Sequence, residues 1–363
     1  MKINGSTLPA GLTPMSMSIN RAAFKISHPT DNSQLALSIS PVGNAKSQLL
    51  ERFRAALNPD ASPASYLPSY AETYAKLREE ILGGESDAQE MSLKLLDEVY
   101  GEVTGEAADR LANRFDAFFN GPEKLLDRYR MSSMPSGFDR DSFRNHLTQL
   151  AEEARQQALA HPGEAAAYLE RSGPADTLES MSYRDIKALS GALAEIGALR
   201  PPIAVGNDPD KFGAAVANWE ADSRRILDAA GLSDSVKNAA SKTLHDSSQA
   251  RLKTGSYALA VDSYQSKIDE TFKKLSHLSY LISTINGKLN EFKGLDPRDP
   301  RLQNLLRREQ ELEKSRADYS SELKSDKASL KKLENDPDSV ESSDTYRRAK
   351  SAYDNASNKR SNQ

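Results

Sequence analysis

The chain has 363 residues, of which 38% are AVILMFWYC, 7% aromatic and 28% charged, with a net charge of −4 and no cysteine. That length buries a sizeable core in about two to three domains of ~150 residues, and so small a net charge gives no global field to attract nucleic acid or an anionic membrane. Disulfides, cysteine nucleophiles and thiolate metal sites are excluded, and no stretch approaches the ~20 apolar residues of a membrane span or the apolar run of a secretory signal.

Met1 to Ser47 is a compositional unit. It holds four basic residues (Lys2, Arg21, Lys25, Lys46), one acid (Asp31) and eight serines, so it carries +3 against −7 for the rest. Few helix formers and no long apolar face predict disorder in isolation. Met15, Met17 and Ile19 alternate with serines, Phe24 and Ile26 flank Lys25, and Leu35, Leu37 and Ile39 alternate with Ala36 and Ser38. This is the period of a half-buried strand. With no further strand predicted, its partner is expected in another protein's sheet, the other reading being a flexible leader with a short hairpin on the body. A serine-rich, acid-poor start, short alternating stretches and then a helical body resemble the substrates of bacterial type III secretion systems. The resemblance covers about the first fifth of the chain, and it implies a leader kept unfolded for export and wrapped on a dedicated secretion chaperone.

From Asn44 the pattern is helical. Leu49, Leu50, Phe53 and Leu57 share a face before Asn58-Pro59. Ser69 with Glu72, and Ser86 with Gln89, have capping-box spacing. The helix from Ser86 carries Leu96, Val99, Tyr100 and Val103, and a following one carries Leu111, Phe115, Phe118 and Phe119, with Pro122 placed to start its successor. A helix from Asp141 ends at His161-Pro162-Gly163, and another begins at Ser182, where Met181 can staple Ile186. Pro201-Pro202 imposes an extended link, and Asp208-Pro209 opens a helix holding the only tryptophan, Trp219.

The last third keeps a stricter period. Val261, Ile268, Leu275, Ile282 and Leu289 recur every seven residues, each followed three later by Tyr264, Thr271, Leu278, Ile285 and Phe292. This is a coiled-coil seam. After a proline-marked turn, Leu302, Leu305, Leu312, Tyr319, Leu323, Leu330 and Leu333 line a second arm, with Glu309, Arg316 and Asp326 on the same rows. An antiparallel hairpin with arms of ~50 Å follows, either packed along the preceding domain or projecting, with Ile268, Leu275, Ile282 and Leu289 as candidate partner contacts.

Chemistry is sparse. The five histidines have neither metal-ligand spacing nor cysteine companions, so no metal or other cofactor is implied. Phosphate-loop, dinucleotide and nucleophile-elbow motifs are absent, and Arg224-Arg225 and Arg307-Arg308 sit among acids, against a nucleic-acid stripe. Gly197-Ala198-Leu199-Arg200 resembles the Gly-x-Leu-Arg core of helical-bundle Rho GTPase-activating toxins, which implies Arg200 as an arginine finger and the one catalytic candidate. Ala204 stands where that family has Thr, and Pro201-Pro202 intervenes.

These residues predict an all-α chain, a multi-helix bundle followed by a long antiparallel coiled-coil hairpin. Its parts are a largely disordered leader at 1–47, a helical domain at 48–250, the hairpin at 255–336 and a flexible tail at 337–363. The expected role is protein binding by an exported bacterial effector or secretion-accessory protein. The alternatives are a cytoplasmic scaffold that oligomerises through the heptad seam, and an enzyme with an unsignposted site.

Overall fold

The computed structural model describes residues 41–361 except 59–60, 85–88, 135–136, 172–175 and 295. Every regular element among them is helical, as the periodicity predicts. The alternating segments at 15–19 and 35–39 lie outside the described residues.

Local capping sets the first elements. α1 (Pro41–Ala55) buries Phe53 completely. A 3-10 turn at Pro63–Ser65, capped by Ser62, leads into α2 (Tyr66–Leu82). The expected cap at Ser69 is instead the fourth residue of α2, because Pro68 is tolerated in a first turn that needs no N–H partners. Ser69 Oγ donates back to the Ser65 carbonyl at 3.1 Å. Gln89, at the start of α3 (Gln89–Phe119), reaches backwards to close α2, its Nε2 donating to the carbonyls of Leu82 (3.2 Å) and Gly84 (2.9 Å).

The two helices expected between Ser86 and Phe119 are one. Gly101 and Gly105 each weaken a helix by about 1 kcal/mol relative to alanine, but α3 buries Val99, Tyr100, Val103, Ala107, Ala108, Leu111 and Phe115 around them. Burial on that scale outweighs the propensity. α4 (Gly121–Asp127) has Pro122 in its first turn. α5 (Arg140–Ala160) is capped by Asp139, and α6 (Ala165–Glu170) follows. At α7 (Tyr183–Ala198) the Ser182 cap forms as predicted, with Met181 and Ile186 both fully buried. α8 (Pro209–Ala229) is capped by Asp208, which accepts the Lys211 N–H at 3.1 Å.

α9 (Asp234–Glu291) is 58 residues long, about 87 Å at 1.5 Å per residue. No break falls between 250 and 255, so the expected helical domain and the hairpin share one helix. Gly255 does not end it; its missing Cβ makes room for the Phe212 ring. Val236, Ala240 and Leu244 of α9 join the largest core, which unites α1–α3 with α5–α7. Leu252 and Leu259 pack with Phe212 and Val216 of α8, while Ala250 and Ala260 pack with Leu126, Met131, Leu333 and Val340.

α10 (Pro300–Asn335) runs back along α9, and a 3-10 segment at Pro337–Ser342 leads into α11 (Asp344–Ser361). The tail expected to be flexible beyond 337 is therefore ordered against the bundle, with Ala349 and Tyr353 buried in the α8 core. Its apolar residues are few, but they meet a helix whose Gly213 lets the backbones approach closely.

Candidate functional site

Beyond about residue 265, each buried or half-buried residue of α9 lies on or beside the stripe that faces α10. The last 27 residues of α9 thus form an arm of about 40 Å with α10 as its cover. Lys274 Nζ lies 5.4 Å above the Tyr319 ring and Arg301 lies 5.6 Å from Phe292, which fixes the antiparallel register. Thr271, Leu278, Ile282 and Ile285 are buried in the seam, and Ile268, Leu275 and Leu289 are half-buried.

Ile268, Leu275, Ile282 and Leu289, expected to meet an outside partner, are therefore occupied within the chain. Their heptad spacing puts them on one row, and a second arm joined by an eight-residue connection closes on that row before any other chain can. Outside the seam the arm leaves Phe272 60% and Tyr280 68% exposed about two turns apart, Phe272 flanking the seam next to Thr271 and Tyr280 further round the helix. Both sit off the heptad rows. Aromatic residues outside the seam were the available signal, and a search for seam positions passes over them.

A second constellation lies under α11. A cleft of about 580 Å³ between α8, α9 and α11 is floored by Glu220, only 6% exposed. Glu220 Oε1 accepts from Arg224 Nη2 at 2.9 Å and lies 3.1 Å from His245 Nδ1, and its Oε2 accepts from the Tyr353 hydroxyl. Burial, then the Glu220 carboxylate, raises the Tyr353 pKa well above the ordinary phenol value. A phenol so held keeps its proton at neutral pH and is poorly suited as a general base. At the rim Arg225 and Arg360 converge on Asp222 Oδ1 at 3.4 and 2.8 Å and Lys350 pairs with Asp354 along α11; away from the cleft, Arg348 of α11 meets Asp210 of α8. Arg360–Asp222, Arg348–Asp210 and Tyr353–Glu220 run from α11 to α8 and fasten the two, while Arg225–Asp222 and Lys350–Asp354 each lie within one helix. The sequence signal was an acid, Glu220, on the row of Phe212, Val216 and Leu227.

Arg200 is exposed in the extended link between α7 and α8, beside Ile203 and Val205, which are 78% and 76% exposed. His146 is half-buried, its Nε2 donating to the Met181 carbonyl at 2.8 Å, which accounts for it as a packing residue. Met15, Met17, Ile19, Leu35, Leu37 and Ile39 lie outside the described residues. Among the described residues no cluster of three or more His, Asp or Glu could hold a metal ion, and no helix is long and apolar enough to cross a membrane. Compared with protein-family models, curated proteins and solved structures, the chain matches none.

Proposed function

We propose that this chain works by binding other proteins, as an exported bacterial effector or secretion-accessory protein, and that the α9–α10 hairpin is the element it presents. The observation that carries the reading is the projecting arm. Its apolar seam is closed internally, which makes the rod self-supporting, while Phe272 and Tyr280 stay exposed outside the seam. Exposed aromatics on a rigid helix offer large contact area with little side-chain entropy to lose. Export is supported by the acid-poor, serine-rich leader, with a secretion chaperone as its partner.

Two measurements test this. In a bacterium with an active type III apparatus, the full chain is expected in the medium, and a chain lacking residues 1–40 is expected to stay inside. The deletion stops at residue 40 because α1 begins at Pro41. Equal export of both, or of neither, overturns the export half. Phe272→Asp with Tyr280→Asp is expected to weaken capture of the binding partner at least about tenfold, the scale of losing an aromatic anchor. Unchanged capture overturns the hairpin half.

A further inference from the structure

The first turn of α1 and the start of α3 enclose a shallow trough of about 310 Å³ lined by Val42, Ala45, Met91 and Leu95, with Lys94 and Glu98 at its rim. Its apolar lining is open: Val42 is 51% and Met91 70% exposed. Two large side chains left in water on neighbouring helices have a strong tendency to be covered.

We propose that this trough is the docking site for the chain's own leader, through Leu35, Leu37 and Ile39. The chain enters the fold at Pro41, and Val42 itself lines the trough, so the leader arrives at its edge. Ile39 is three positions before Val42 and Leu35 seven, a reach of at most about 11 and 25 Å at ~3.6 Å per residue. The three side chains are the leader's closest apolar set to that entry point. Charge agrees: residues 1–40 carry +2, and the face of α3 turned to α1 carries Glu98 and Glu102. Lys46 of α1 already lies on that acidic face, 2.8 Å from Glu98 and 2.9 Å from Glu102. A leader seated there holds its apolar residues on the body until a partner competes for them. The docking is intramolecular and holds whether or not the chain is exported.

The absence of native cysteine makes the test clean. Met91→Cys is introduced into the full chain and its rate of maleimide labelling measured. The same is done in a chain that also carries Leu35→Ser, Leu37→Ser and Ile39→Ser, and Tyr280→Cys on the distant arm serves as control in both backgrounds. The expected result is labelling at position 91 about fivefold or more slower with the native leader, a factor matching about 1 kcal/mol of docking, with no difference at position 280. Equal rates at position 91 overturn the proposal. Protection that grows with protein concentration also overturns it, because a second copy is then the occupant.

Discussion

Lys253 sits where three segments meet. Its Nζ lies 2.7 Å from Asp338 Oδ1 and 2.8 Å from Glu341 Oε1, and Asp338 also accepts from the backbone N–H and hydroxyl of Ser132 at 3.3 and 2.7 Å. Lys253 thus ties α9 to the 3-10 segment, and Asp338 ties that segment to the loop after α4. Burial works against the Lys253 charge, but the two carboxylates prevail and raise its pKa. Lys253 chiefly, and then Ser132, lowers the pKa of Asp338. The signs give two flanks. The raised Lys253 contributes stability that is fully present below its unfolded value near 10.5 and is lost as pH rises through the folded value. The lowered Asp338 contributes stability present above its unfolded value near 3.8 and lost as pH falls through the folded value. Thermal melts of wild type and Lys253→Met across this range should converge at both extremes and differ most between them. A constant difference at all pH values would contradict this account.

Among the elements, the hairpin separates a seam from a surface. Ile282 is 4% exposed and Leu275 half-buried against α10, so an aspartate at each places charge in an apolar seam. Leu275→Asp with Ile282→Asp is expected to cost the hairpin at least about 3 kcal/mol. The readout is a loss of helical circular dichroism with an unchanged mass by light scattering. A fall in mass would instead show that the seam joins separate chains. On the rows of the second arm Glu309 is half-buried and Arg316 exposed, as the wetted edge of a two-helix seam allows for long side chains that pack their stems and keep their heads in water. Asp326, by contrast, is half-buried with its Oδ2 away from solvent and without a hydrogen-bond partner. Helix ends were legible where a cap acts within one turn, as at Ser182 and Asp208. They were misread where a proline or glycine could be absorbed, as at Pro68, Gly101 and Gly105.

At the scale of the whole molecule, α9 is the spine that reaches three cores and then the arm, and α11 is the strap that closes α8 against it. The strap depends on a backbone approach: a Cβ on Gly213 would overlap the Ala349 carbonyl, and a Cβ on Gly255 would meet only the Phe212 ring. Gly213→Ala is therefore expected to lower stability by about 1–3 kcal/mol, and Gly255→Ala by less, because a ring can turn and a helix backbone cannot. Melting temperature orders the two, and the emission of the sole tryptophan, Trp219 on α8, should change with Gly213→Ala. Equal losses would show that α11 is not held by that contact. By itself the sequence determined the all-helical class, the caps at Ser182 and Asp208 and the rows of the seam, because periodicity and capping act over one or two turns. Only the tertiary structure decided that α9 runs unbroken, that Ile268, Leu275, Ile282 and Leu289 face α10, that the tail's helix packs against α8 and that Glu220 lies buried beside Tyr353. Those outcomes rest on which face meets which across long stretches of chain, a choice made by burial and close approach between residues that local pattern cannot pair.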